Sequence, residues 1–276
     1  MTLKRRLVVD QLVKGLLWIL ASLLLIPLGG IIGYVFFRGI PAINWAFLTE
    51  TPRPVGESGG GILNALIGTI MLVINASFVA IPLGVFTGIF LTEYPSTWWS
   101  GIVRFCIETL QGIPSIVLGI VLYVWLVVPF GHFSSFSGSI ALAIMMIPII
   151  ARSTEETLKR IPHSLKEASL ALGVSYPTTL FRVILPAGSN GIVTGILLSI
   201  ARVSGETAPL LFTAFGNPFV SFNPAKPVES IPLLIFNYST SPYESWQRIG
   251  WGASCLLITL TFFLTFTTKW ITKKRF

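Results

Sequence analysis

Charge is scarce in this chain. Its 276 residues carry 19 Lys and Arg against 11 Asp and Glu, so charged side chains make up 11% where hydrophobic ones make up 53%. That composition excludes a soluble globular domain and fits one membrane domain of about six spans. Cysteine is nearly absent too: Cys106 and Cys255 both sit in apolar stretches, which excludes a disulfide framework. The two histidines, His132 and His163, fall in different expected loops, so no metal site is expected. No Ser/His pair or pair of carboxylates is arranged for hydrolysis. The Ser-Gly-Gly-Gly run at 58–61 lacks the lysine and Ser/Thr of a nucleotide P-loop and reads as a hinge. ATP chemistry must therefore come from a partner, and no cofactor is expected. A net charge of +8 points to nucleic acid in a soluble protein, but in an apolar chain it reflects basic loops on one side of a bilayer. No nucleic-acid partner is expected.

What is present is a series of long apolar runs. They read as an all-α membrane protein with six transmembrane helices at residues 14–37, 62–93, 104–128, 137–151, 188–215 and 249–271, in a single domain over 1–276. The first run is too long for a signal-peptide core and is read as an uncleaved helix. Pro82 interrupts the second, which lipid tolerates when neighbouring helices satisfy the freed carbonyl. The third holds Glu108, Gln111, Gly112, Pro114 and Ser115, and Glu108 is read as lying near the surface. No internal repeat is evident. Six spans put both termini on one side, together with 14 Lys and Arg, among them Lys4, Arg5, Arg6, Lys14, Lys269, Lys273, Lys274 and Arg275. The other side receives four: Arg38, Arg53, Lys226 and Arg248. The positive-inside rule then places both termini in the cytoplasm. Between the last two spans runs a proline-rich loop, 217–246. Its apolar section, Ser-Ile-Pro-Leu-Leu-Ile-Phe-Asn-Tyr at 230–238, is expected to lie at the interface or re-enter. Trp246, Trp251 and Trp270 bracket the last span as interfacial aromatics do.

One cytoplasmic stretch, 164–186, reads as a helical hairpin. Ser164 and Glu167 have the spacing of a capping box, in which each side chain satisfies the other's free backbone donor. Leu165, Ala168 and Leu172 share one face, and Gly173 supplies a left-handed stop. Ser175 is placed to cap a second start, with Pro177 in its first turn and Pro186 ending the unit. The series Glu167-Ala168-Ser169, three residues, Gly173, nine residues, Val183-Ile184-Leu185-Pro186 resembles the E-A-A-x3-G-x9-I-x-L-P loop of ABC importer permeases. Ser169 and Val183 are mild departures from it. The resemblance implies a MetI-like permease fold in which this loop is the coupling helix that fits a groove on a cytoplasmic ATPase. Glu167, Ala168, Ser169, Leu172 and Gly173 are then its contact residues.

Charge inside the membrane is the second signal. Arg202 and Glu206 fall well within the fifth span, four apart, and are expected on one helix face. Ionised groups at bilayer depth cost at least about 2.5–3.5 kcal/mol and usually face a partner or an aqueous path. Pro209 cannot donate to the carbonyl of Gly205, which loosens the helix there, and Ser204 and Thr207 add hydroxyls. Two readings stand: an ion pair that only fixes packing, or the lining of a route for an oxyanion. In the second, Arg202 attracts and Glu206 tempers the attraction, since guanidinium geometry suits tetrahedral oxygens.

The stretches at 201–217, 110–120 and 229–239 narrow the resemblance to the PstA-type permeases of phosphate-specific ABC importers, matched from Gly61 onward. That implies a substrate pathway containing Arg202, Glu206, Ser204 and Thr207, with Arg152, at the end of the fourth span, as a weaker candidate for the inner mouth. It also implies partners: a PstC-type second permease, two PstB-type ATPases and an external PstS-type phosphate-binding protein, at a bacterial inner membrane. A permease for sulfate, molybdate or phosphonate remains open, as does a gradient-driven anion transporter. An intramembrane hydrolase ranks last.

Overall fold

The computed structural model describes residues 3–57 and 59–273. Ser58, Lys274 and Arg275 lie outside the described residues, and of Lys4, Arg5, Arg6, Lys269 and Lys273 only the backbone is described. Apolar runs have few side chains that compete for backbone hydrogen bonds, and they close their own bonds as helices. Among the described residues the regular structure is helical, apart from one isolated bridge between Phe215 and Val228.

The principal helices are α1 (Leu3–Gly39), α2 (Leu63–Glu93), α3 (Trp98–Gly112), α4 (Ser115–Leu122), α5 (Ser135–Lys159) and α6 (His163–Ala171). They continue with α7 (Leu185–Val203), α8 (Ala208–Thr213), α9 (Ile231–Ser239) and α10 (Glu244–Lys273). Five helical stretches among the described residues are long and apolar enough to cross a membrane. A sixth crossing exists only if α3 and the segment Ser115–Phe130 count as one, and these meet at 105°.

Three of the expected spans differ from the helices found. The run 104–128 is broken at 113–114, because Pro114 disfavours helical geometry in the residue before it, and Ile113 takes extended angles (φ −71°, ψ 128°). The run 188–215 stops at Val203 and restarts at Ala208, so residues 204–207 are not helical. Pro209, with no N–H, sits in the first turn of α8, where none is needed. The run 137–151 is too short: α5 continues to Lys159, since Ser153 and Glu155 find partners in protein instead of lipid. Pro186 does not end the hairpin. The chain is helical from Tyr176 to Val203 through a π turn at Leu180–Ile184. That wider turn lies just ahead of Pro186, where the ring would press on the carbonyl four residues back in a regular α-helix. A second π turn, Tyr123–Val127, stands in the same relation to Pro129.

Lipid is as apolar as leucine, so helix association in a membrane rests on close packing and hydrogen bonds more than on burial. The central pair, α2 against α5, uses small residues for this. A Cβ on Gly88 would lie 2.5 Å from Cβ of Thr154. Leu72, Ala76 and Ala80 of α2 pack with Leu142, Met146 and Ile150 of α5, and Val203, Leu210 and Ala214 join them from α7, α8 and the turn after it. A second cluster lies at the end away from the hairpin, where Phe47, Ile62, Ile231, Leu234, Ile249 and Ala253 meet. The apolar section of the 217–246 loop belongs to it as α9, whose Ile231 N–H donates to Thr69 Oγ1 at 2.8 Å. The preceding loop also completes α5: the free N–H groups of Ser135 and Phe136 donate to the carbonyls of Lys226 and Pro224, both at 2.9 Å.

Gly88→Ala is expected to destabilise the protein by about 1–3 kcal/mol, the usual cost of overpacking. Gly101→Ala, which meets nothing within 4 Å, should be neutral. Thermal unfolding in detergent checks the pair, and equal melting temperatures would show that α2 and α5 can part at no cost.

Candidate translocation route and hairpin

Two helix breaks lie side by side. Gly119 of α4 packs on the first turn of α8, where an added Cβ would come within 2.8 Å of Pro209 Cα. The gap at 113–114 and the gap at 204–207 therefore flank the same contact. Non-helical backbone at membrane depth persists only where protein or a water-filled cavity surrounds it. A small cavity opens there, lined by Gln111, Ile113 and Ser115 from the first break, by Met145 and Ile149 from α5, and by Arg202 from the last turn of α7. Gln111 Nε2 also donates weakly to the carbonyl of Pro148, at 3.4 Å.

Arg202 and Glu206 do not share a helix face, because α7 ends between them. No ion pair joins them, and neither side chain has a hydrogen-bond partner among the described residues. The packing ion pair that the sequence left open is thereby set aside. Ser204 turns inward: its hydroxyl is buried and donates to the carbonyl of Ile200 at 2.7 Å. Thr207 caps α8 through its backbone, its carbonyl accepting from Leu210 and Leu211. Of the four residues grouped at 202–207, the structure brings Arg202 to the cavity and keeps the Ser204 hydroxyl from it.

Arg152 is not at a helix end. It stands within α5, one to two turns beyond Met145 and Ile149, hence about 5–10 Å further along the axis. There it belongs to an ionic cluster around Glu155, a carboxylate only 1% exposed. Arg104 of α3 and Lys159 of α5 both reach Glu155 Oε1 at 2.6 Å, and Arg152 lies 3.6 Å from Oε2 and 3.2 Å from Glu156. A buried carboxylate needs such partners, because removing one side of a buried pair leaves an uncompensated charge. Glu155 escaped the sequence reading, although its spacing from Lys159 is the i, i+4 signal of a helix ion pair.

The hairpin forms, but with other caps than its sequence suggests. Pro162 occupies the cap of α6, and neither Ser164 nor Glu167 makes a capping bond. Ser175 is the cap of the second turn as expected, yet its hydroxyl pairs with Thr178 at 2.9 Å and not with a backbone N–H. Gly173 does take the left-handed conformation (φ +78°), and the N–H groups of Gly173 and Val174 return to the carbonyls of Leu170 and Ser169. Ser169 is buried and shares a hydrogen bond with Thr179 at 2.9 Å, tying the two limbs together. Leu165, Glu167, Ala168 and Leu172 face outward, with Leu172 84% exposed.

Glu93, at the end of α2, links the hairpin to the membrane domain, beside an apolar cluster in which Ile89 and Leu158 pack with Leu180 and Ile184. Its carboxylate accepts from Lys166 Nζ at 2.5 Å and from the hydroxyl of Tyr176. Burial pulls the Lys166 ammonium down, but the hydrogen bonds to Glu93 and Tyr176 and the attraction of Glu93 outweigh it and raise its pKa. Nothing in sequence spacing links residue 93 to residue 166.

Similarity to known proteins is found at the level of family, sequence and fold. Residues 80–276 match the family described as binding-protein-dependent transport system inner membrane component. The chain is 42% identical over 224 residues to the phosphate transport system permease protein PstA of Yersinia pestis, covering 81% of this chain and 76% of that one. It is 37% identical over 262 residues to the protein of the same name from Haemophilus influenzae, covering 94% and 92%. In fold it is similar to the inward-facing MetNI methionine ABC transporter, with a TM-score of 0.62 at 19% identity over 77% of this chain and 94% of that one.

A raised ammonium pKa means that the fold favours charged Lys166. Its contribution is therefore complete below the ordinary lysine value of 10.5 and is lost only as pH rises through the higher folded-state value. Amide exchange of residues 163–176 should be insensitive to pH-driven loosening from pH 6 to 9, after correction for intrinsic rates. Glu93→Gln should raise it several-fold at pH 7. Unchanged exchange in that variant would mean that apolar contacts alone seat the hairpin.

Proposed function

This chain belongs to the binding-protein-dependent transport permeases, and among them to the PstA-type phosphate permeases; on that premise we propose that it forms one membrane half of an ATP-driven phosphate importer. Members of this family are transport subunits, working in ABC complexes with an ATPase and a binding protein, and this chain is a multi-pass inner-membrane protein. Its partners here are a PstC-type permease, two PstB-type ATPases and a PstS-type phosphate-binding protein. Both termini and the hairpin face the cytoplasm, as the charge asymmetry supports. The chain hydrolyses nothing itself.

The observation that carries the route is Arg202, a guanidinium with no carboxylate partner among the described residues, which lines a cavity at two helix breaks. Its planar donors fit phosphate oxygens, whereas the N–H groups of Ser204, Gly205 and Glu206 are taken by the carbonyls of Ile200, Arg202 and Val203. Glu206, in that gap, limits how tightly an anion is held and accepts a hydrogen bond from the hydroxyl of hydrogen phosphate. Arg152, nearer the hairpin, is the next station, its charge shared with Glu155 and Glu156 so that the anion is released there. ATP closure of the ATPases draws the hairpins together through the exposed face of Leu165, Ala168 and Leu172. The membrane halves then alternate between outward and inward access.

Uptake of labelled phosphate at low external concentration tests this, in cells lacking the gene and complemented with variants. Arg202→Ala should lower uptake by about 10–150-fold, the equivalent of about 1.5–3 kcal/mol for a charge-assisted hydrogen bond. Arg202→Lys should recover only part of it. Glu206→Gln should change both rate and discrimination against sulfate. Uptake that is independent of the gene, with another oxyanion's uptake lost instead, would keep the architecture and overturn the substrate.

A further inference from the structure

At the end of the molecule away from the hairpin, a cavity of about 850 Å³ opens between the end of α1 and the start of α10. Arg38 enters it from α1 and Arg248 from α10, with Tyr34, Phe37, Trp251 and Glu244 also in its wall. Neither arginine makes an ion pair among the described residues. Arg38 Nε donates to the Tyr34 hydroxyl at 3.3 Å and its guanidinium lies over that ring, 5.6 Å from the centroid. Arg248 donates to the carbonyl of Pro41 at 3.0 Å. Each guanidinium has five N–H donors, so most remain unused and both charges lack an anion.

The surroundings say what kind of anion fits. α1 ends at Gly39 and α10 begins at Glu244, so both arginines stand where the helices leave the apolar layer. Tyr34 and Trp251 meet edge to face there, 5.3 Å between centroids, as aromatics do at the depth of lipid head groups. Phe37 is 76% exposed and leads down an outward, apolar face of α1. Two guanidinium forks suit a phosphate group. Glu244 repels a simple dianion in the same space and suits a ligand that carries a cation beside its phosphate, which the Trp251 ring also attracts. A free phosphate ion uses neither the carboxylate nor the apolar face.

We propose that this cavity is a phospholipid site selective for phosphoethanolamine head groups, with the phosphodiester between Arg38 and Arg248, the ammonium toward Glu244 and the acyl chains along α1 and α10. The site is separate from the proposed phosphate route and does not depend on it.

Native mass spectrometry of the assembled transporter, purified in mild detergent, tests the proposal with phosphatidylethanolamine, phosphatidylglycerol and inorganic phosphate as separate probes. The wild-type complex should retain phosphatidylethanolamine in preference to phosphatidylglycerol. Arg38→Ala and Arg248→Ala should each lower its retention about tenfold, a change of about 1.4 kcal/mol. Glu244→Gln should keep lipid bound but abolish the preference between head groups. Thermal unfolding of the wild type alone is a second measure, and its melting temperature should rise with added phosphatidylethanolamine more than with phosphatidylglycerol. Three results would each overturn the proposal: retention unaffected by either arginine variant, displacement of the lipid by excess inorganic phosphate, or no lipid retained because a neighbouring subunit fills the cavity.

Discussion

In a bilayer every backbone donor and acceptor must find its partner within protein, and that constraint organises this molecule. Most of the chain meets it with unbroken helices such as Leu63–Glu93. Two stretches do not, at 113–114 and 204–207, and the fold brings them together so that each break is covered by the other's helix. Gly119 makes this possible by allowing α4 to touch the first turn of α8. The cost of interrupting two helices is met in one place, and that place is where Arg202 finds room without a carboxylate.

The same constraint shapes the far end. Loop 217–230 has no lipid-compatible structure of its own, so it lies on α2 and α5 and supplies carbonyls to the free N–H groups of Ser135 and Phe136. Its side chains close on themselves, with Asn217 donating to the carbonyl of Pro227 at 3.1 Å and accepting, through its own carbonyl, from Asn64 at 2.7 Å. A proline-rich connection covers the end of the central pair because the helix beneath it needs acceptors.

Two carboxylates, Glu93 and Glu155, tie the membrane helices to what lies on the hairpin side. Glu155 gathers Arg104 from α3 with Arg152 and Lys159 from α5, so the first half of the broken third crossing is held by charge as well as by Val103 and Ile107. Glu93 holds the hairpin through Lys166 and Tyr176. A movement at the hairpin is thereby linked directly to α2, the helix packed most closely on α5. In the proposed cycle this is the mechanical connection between the ATPase groove and the route.

Residue order alone determined the class of this protein. Scarce charge, long apolar runs and the Glu167-to-Pro186 spacing are local or compositional signals, and local signals need no knowledge of what packs where. They located the helices of the first, second and sixth runs and the left-handed turn at Gly173. Tertiary structure decided the rest. Whether Pro114 and Pro209 merely kink or fully break a helix depended on each other's helices filling the gap, and whether Pro186 stopped one depended on a π turn ahead of it. Arg202 and Glu206 parted because a break intervened, and Ser204 turned inward because the carbonyl of Ile200 lay within its reach. Glu93 with Lys166 and Glu155 with Arg104 are partners 73 and 51 residues apart. Such pairs are made only when helices distant in sequence become neighbours, because a buried carboxylate takes whichever cation the packing delivers.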